Sequence, residues 1–311
     1  MTAAMTTTHD VLIIGGGPAG LSAALALGRA RKDVVLCDAG PRRNAAASAM
    51  HNFVTRDGTP PQAFRELARE QLAAYPNVSL REASVQAISG GRGDFTVTLK
   101  EGTLKVRRVV LCTGMLDEPL ALEGAREAWG HSIIQCPYCH GWELKDRPWG
   151  YLARPGVEGH LVPFVLQLRG WTREVTVFTN DTVELGPDVR RALESAAVRV
   201  VTAPIARLRQ RDGQLEQVEL RDGATVPCAA LFAHPPQRQV EVVALAGVAL
   251  DDDGFVRVDP MTRETSVPGI YAAGDLTTRM QGAVLAAAAG MHAAAMLNVE
   301  LTLEHVARGA L

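Results

Sequence analysis

The apolar run Val11-Leu12-Ile13-Ile14 stops abruptly on Gly15-Gly16-Gly17-Pro18-Ala19-Gly20, and an Ala/Leu-rich segment to about residue 31 follows. A short buried strand feeding a glycine turn that opens a helix is the start of a βαβ unit. In such a unit Gly15 makes the tight turn, Gly17 lets the backbone approach a pyrophosphate, and Gly20 lets helix pack on strand. A second strand at 34–36 runs into Cys37-Asp38, and an acid about 20 residues beyond the turn is placed to take ribose hydroxyls. Strand, glycines, helix, second strand and acid occur in the order that a dinucleotide-binding domain requires.

Further along, the pattern predicts a loop over 39–60, a helix over about 61–75, and a hairpin or meander at 95–99 and 104–106. A buried strand over 108–112 closes on Thr113-Gly114. A second α/β unit is expected next, after which 254–258 and 269–275 return to the first, ending in an Ala-rich helix. The expected fold class is α/β, with two Rossmann-like, three-layer ββα dinucleotide-binding domains. One is split over 1–117 and 247–311, and the other is inserted in it over 118–246.

The chain has 311 residues, 47% of them hydrophobic and 21% charged, which suits two globular domains with substantial cores. A formal net charge of -2 with no basic stripe argues against nucleic acid or an anionic membrane as partner. The polar, Thr-rich start lacks the basic and apolar regions of a signal peptide, so a cytoplasmic location is expected. The apolar stretch 282–297 contains Gly290 and His292 and falls short of the ~20 residues a membrane span needs, so it reads as a buried helix.

Five unevenly spaced cysteines do not make a disulfide framework. Cys37, Cys112 and Cys228 sit in apolar runs, as small buried hydrophobes. Cys136-Pro137-Tyr138-Cys139 differs: two intervening residues let the sulfurs meet across one turn, and a helix opening at the second Cys lowers its thiol pKa. Such a pair is either redox-active or half of a metal site. Zinc needs two more ligands; no second pair exists, although His131 and His140 lie close in sequence, and no metal is expected.

Together these segments resemble the low-molecular-weight thioredoxin reductase family of flavoproteins over nearly the whole chain. Gly15 to Gly20 is similar to that family's FAD pyrophosphate loop, Cys112-Thr113-Gly114 to its second FAD motif, and Ala273-Gly274-Asp275 to the segment whose Asp holds the flavin ribityl chain. Gln281, with Gly282 and Ala283 after it, matches the position that brings backbone to the flavin pyrimidine, and His51-Asn52 the loop whose Asn lies near the flavin. The resemblance implies FAD as cofactor, held by Gly15, Gly17, Pro18, Ala19, Gly20, Asp38, Ala39, Asn52, Thr113, Gly114, Gly274, Asp275, Gln281, Gly282 and Ala283. It also implies Cys136 and Cys139 as catalytic cysteines, with Cys139 against the flavin, and a homodimer.

Two departures narrow the expectation. Where the inserted domain of that family has a glycine-rich turn for NADPH, this chain has Arg154 and Pro155, which fill the phosphate space and remove a backbone donor. The next strand, at 175–178, runs into Thr179-Asn180-Asp181 without an arginine clamp for a 2′-phosphate, though Asp181 keeps NAD open. Second, His140-Gly141-Trp142-Glu143 follows the second Cys where thioredoxin reductases generally place an Asp. That pattern resembles the branch of gliotoxin- and holomycin-type dithiol oxidases. His140 suits a proton acceptor because an unperturbed imidazole titrates near ~6.5. The expected activity is FAD-dependent oxidation of a small-molecule dithiol to a disulfide, with O2 as acceptor. The alternatives are a disulfide reductase acting on thioredoxin, driven by NAD(P)H or reduced ferredoxin, and a redox-sensing flavoprotein without turnover.

Overall fold

The computed structural model describes residues 8–40, 42–156, 158–307 and 309; residues 1–7 of the Thr-rich start lie outside them. The glycine turn joins β1 (Thr8–Ile14) to α1 (Pro18–Arg29), and β2 (Val34–Cys37) follows. Next come α2 (Pro61–Leu72), β3 (Val78–Arg81), β4 (Val85–Gly91), β5 (Asp94–Leu99) and β6 (Gly102–Leu111). The chain leaves this part at β7 (Leu116–Asp117) and builds α3 (Ala125–Ala128), β8 (Ile133–Ile134), α4 (Pro137–Leu144), β9 (Trp149–Leu152), α5 (Glu158–Leu168) and β10 (Val175–Phe178). It continues through α6 (Pro187–Ser195), β11 (Arg199–Val201), β12 (Ile205–Arg211), β13 (Gln214–Leu220), β14 (Thr225–Pro227) and β15 (Ala230–Ala233). The return runs through β16 (Gln237–Arg238), α7 (Glu241–Leu245), β17 (Ile270–Ala272) and α8 (Ala283–Ala307).

Two compact units result: Met1–Ala45 with Pro60–Leu116 and Gln237–Leu311, and Ala46–Thr59 with Asp117–Pro236. These limits differ from the expected 1–117, 118–246 and 247–311 by the single residue Asp117 and in two longer stretches. Residues 237–246 belong to the first unit, because Val242, Val243 and Ala246 pack into its core beside Phe255 and Leu276. Residues 46–59 belong to the second, where Asn52 donates its amide to the Tyr138 carbonyl and Ala46 lies against Gly130.

In the first unit β3, β2, β1 and β6 are parallel neighbours, β17 lies along the C-terminal half of β6, and β5 and β4 add antiparallel strands to its N-terminal half. Alternate residues of β1 serve opposite faces. Leu12 and Ile14 face one core with Val109, Val243 and Phe255. Val11 and Ile13 face the other, beneath α1 and α8. Ile14 is level with Cys37 and Leu111, and Leu111 with Ala272, so β2, β1, β6 and β17 end together. The residues that follow, Asp38, Gly15, Thr113 and Gly274, emerge at one edge of the sheet.

Helix α8 has 25 residues, so by length and composition it is long enough to cross a membrane, and the shortness argued for 282–297 does not hold. Its buried side, Ala286, Gly290, Ala293, Ala294, Leu297 and Leu301, belongs to this unit's core. The C-terminal half is pinned by Arg108, which is fully buried on β6 and donates to Glu300 and Glu304; the Tyr271 hydroxyl also donates to Glu300.

The second unit has a parallel sheet in the order β11-β10-β9-β15-β8 and an antiparallel sheet β12-β13-β14. Its core centres on Trp149, buried against Phe232 and Trp171.

Where α8 crosses α1, a Cβ on Gly290 would collide with the Ala19 carbonyl. Gly290→Ala is therefore expected to lower stability by about 1–3 kcal/mol, the usual cost of overpacking. Because Ala19 lies in the first turn after the glycine loop, flavin content should fall too; both are read by thermal denaturation and absorbance of the purified variant.

Candidate redox site

Helix α4 begins where the sequence allows it: Pro137 at the first helical position has no N–H to lose, and Cys136 caps the helix in extended backbone. Cys139 falls in the first turn, its N–H 3.2 Å from the Cys136 carbonyl. The two cysteines form a disulfide with Cα atoms 5.3 Å apart. The helix is seated by Gly141, where a Cβ would press within 3.0 Å of Trp171 and 3.2 Å of Trp149. The Tyr138 ring meets Trp171 edge-on, and its hydroxyl accepts from Gln167 at 2.8 Å. Trp142 is exposed, with the Lys145 ammonium 3.1 Å above its ring.

His140 lies one residue beyond the disulfide. Its Nδ1 is buried and has no hydrogen-bond partner within the chain. Burial pushes its pKa below 6.5, the nearby His51 and His131 act in the same direction, and Glu143 opposes them. A neutral imidazole at neutral pH is therefore available as a proton acceptor at the position directly after Cys139 in the helix. Asn52, in left-handed backbone at φ 62°, holds the 46–59 loop to the carbonyl of Tyr138, inside the Cys-x-x-Cys turn. This loop brings His51 to α4, a placement that reading the sequence did not anticipate. Among the described residues no group of three His, Cys, Asp or Glu side chains is arranged to hold a metal.

The first unit presents the nucleotide motifs at its sheet edge. Gly15 has φ +108°, and a Cβ there would collide with the Cys112 carbonyl; at Gly20 it would collide with the Gly15 carbonyl. At Gly17 a Cβ would meet nothing within 4 Å, so the outer side of the turn is open to a phosphate. Pro18 starts α1, Ala19 packs against Gly274, and Asp38 lies against Gly16 with Ala39 following it. Asp38 is ion-paired with Arg42 and lies 3.6 Å from Arg69. Thr113 Oγ1 is buried without a hydrogen-bond partner, next to Gly114 at φ 66°. Asp275 lies 3.3 Å from Arg43, which also donates to Gln281 just ahead of Gly282 and Ala283 at the start of α8. Gln281 and Gln237 exchange amide hydrogen bonds of 2.9 and 3.1 Å. An open turn at a helix N-terminus, an unpartnered hydroxyl and a second helix start fit a dinucleotide cofactor. Arg43 and Gln237 belong to this constellation and were not identified from sequence; neither lies in a glycine motif.

In the second unit the turn after β9 is occupied by its own side chain. Arg154 Nε donates to the His234 carbonyl at 2.5 Å, bridging the ends of β9 and β15, and Pro155 follows it. Asp181, in left-handed backbone at φ 55°, lines a cavity of about 360 Å³ with Asn180, Glu123 and Arg221.

The family model described as pyridine nucleotide-disulphide oxidoreductase matches residues 9–290. The thioredoxin reductase sirT of Leptosphaeria maculans is 31% identical, covering 94% of each chain. The crystal structure of HlmI superimposes with a TM-score of 0.90 at 36% identity, covering 99% of this chain and 97% of that one. An oxidoreductase from Agrobacterium tumefaciens gives 0.88 at 36% identity, covering 96% and 99%. The thioredoxin reductase-like α/β architecture is common to this chain and these two solved structures.

The lowered pKa of His140 has a stability consequence. An unfolded chain takes up a proton on this residue near ~6.5, whereas the folded chain does so only at lower pH. Stability is thus fully present above about 6.5 and falls as pH drops from there towards the folded pKa. Thermal midpoints measured between neutral and mildly acidic pH should fall more steeply for the natural protein than for His140→Gln.

Proposed function

The chain belongs to the pyridine nucleotide-disulphide oxidoreductase family and is an oxidoreductase; within that family we propose that it is an FAD-dependent dithiol oxidase, closing a disulfide in a small molecule with O2 as electron acceptor. The observation that carries this reading is the Cys136–Cys139 disulfide at the head of α4 with neutral His140 beside it. The direction of electron flow is supported by Arg154, whose guanidinium is tied to the His234 carbonyl at the turn where a pyridine nucleotide would deliver its phosphates.

In this mechanism His140 removes the proton of a substrate thiol, and the thiolate attacks Cys136 Sγ, breaking the Cys136–Cys139 bond. Cys139 leaves as a thiolate, favoured by the positive end of α4. The second substrate thiol, also deprotonated, attacks the sulfur of the first, releasing Cys136 as thiolate and the substrate as a disulfide. The enzyme has then gained two electrons as a dithiol. FAD, when bound, would supply the two-electron acceptor for this dithiol, with O2 as the final oxidant. In the first unit Gly15, Gly17, Gly20, Asp38, Thr113, Gly274, Asp275 and Gln281 with the start of α8 would hold it, joined by Arg43. We place the enzyme in the cytoplasm, and as a homodimer, the latter as the family resemblance implies.

A second reading, a disulfide reductase fed by NAD(P)H or reduced ferredoxin, is favoured by the relative's name, thioredoxin reductase. Two measurements separate the readings. The purified protein with dithiothreitol and air should produce hydrogen peroxide in step with oxidised dithiol, without NAD(P)H. Anaerobic stopped-flow should show slow flavin reduction by NADPH or none; complete reduction within milliseconds supports the reductase. Cys136→Ser and Cys139→Ser should each abolish turnover, and Cys139→Ser should also stop dithiols from bleaching the flavin. His140→Ala should slow turnover on the order of 100-fold or more, the share of a positioned general base.

A further inference from the structure

A base that cannot discard its proton works once. His140 is half-buried with its Nδ1 closed off from solvent, so each proton it removes from a thiol needs a way out. The way leads through a cavity of about 210 Å³ in the second unit, lined by His140, His51, His131, Glu143 and Arg147. A space of this size with so many polar walls accommodates several bridging waters.

Of the other groups facing that cavity, His51 has the surroundings of a proton carrier. Its Nδ1 lies 3.4 Å from Asp57 Oδ1 and its Nε2 3.6 Å from Glu143 Oε1, so a carboxylate stands at each ring nitrogen to stabilise an imidazolium in transit. Asp57 is held anionic by the Asn52 N–H and by His51. Exposure rises along the series: the His140 Nδ1 is closed off, the His51 side chain is 20% exposed, Glu143 46% and Asp57 67%. Among the described residues, no carboxylate lies within ion-pair distance of His131.

We propose that His51 is the relay residue of the thiol–disulfide site, taking the proton from His140 across the shared cavity and releasing it to solvent beside Glu143 and Asp57. The step is a proton transfer alone. A thiol gives its proton to one ring nitrogen of His140, and the proton on the other nitrogen passes through cavity water to His51. His51 gives up a proton to bulk solvent, and the sulfur left behind is a thiolate. The proposal rests on His140 as base, but serves thiol–disulfide exchange in either direction.

The test uses the FAD-loaded enzyme and compares the natural chain with His51→Ala and His51→Gln, reading both dithiothreitol-driven oxygen uptake and anaerobic bleaching of the flavin by dithiothreitol. A positioned acid–base group is worth about 10²–10⁴-fold, so a relay one step removed should contribute on the order of 10-fold. His51→Ala should be slower by that factor in dilute buffer and recover as imidazole is added, while the natural enzyme ignores buffer concentration. A purely structural role would give a loss that imidazole does not repair, which overturns the proposal, as does an unchanged rate. If the variants do not fold, the rate of the natural enzyme in mixtures of H2O and D2O decides: a curved dependence on deuterium fraction supports a multi-proton relay, and a straight line overturns it. Should the natural enzyme take up no oxygen while bleaching still depends on His51 and imidazole, the oxidase reading falls and the relay stands. Normal oxygen uptake with bleaching indifferent to His51 gives the converse.

Discussion

The first unit depends on how closely three backbones approach one another around α1. A Cβ at Gly20 would strike the Gly15 carbonyl, and one at Gly290 would strike the Ala19 carbonyl, so the start of α1 is held between the turn that precedes it and the middle of α8. Close approach of this kind fixes position more tightly than side-chain packing, because backbone cannot change rotamer. The level ends of β2, β1, β6 and β17 then follow from the pairing of Ile14 with Cys37 and Leu111. Four motifs scattered over some two hundred and sixty residues of chain reach one sheet edge as a result.

That convergence explains why so much was legible in the sequence. A glycine whose Cβ would collide with backbone leaves an unmistakable mark, and so does a pair of cysteines two residues apart. The short antiparallel strands and the final helix also announced themselves through alternation and alanine content. What escaped was settled by contacts between distant segments. The 46–59 loop carries no apolar run that would assign it to either unit, and contacts such as Asn52 on the Tyr138 carbonyl show where it belongs. Similarly, Val242 and Val243 read as the close of one domain, yet their burial beside Phe255 puts them in the other. Arg43 escaped because an arginine in a polar loop looks like any solvated charge until Asp275 and Gln281 are found next to it.

On the proposed reading, the departures from the family pattern concern the way electrons enter. A turn that bears Arg154 in place of a glycine has exchanged an open donor surface for a side chain locked on a neighbouring strand end. The chemistry around Cys136 and Cys139 needs no such entry if the dithiol itself is the reductant. Conserved architecture and altered supply are compatible, because thiol–disulfide exchange is reversible and its direction is set by potentials outside the protein.

The three cysteines outside the pair bear on the protein's own durability. An enzyme with the proposed activity works among reagents that would scramble its own thiols. Cys37 is pushed up to about 11, and Cys112 and Cys228 to about 12, mainly by burial. A thiol titrating at about 11 is ionised in about one molecule in ten thousand at pH 7, and only the ionised form exchanges or oxidises readily. Burial thus passivates three of the five cysteine sulfurs, and insulates the chain from the reaction proposed for it.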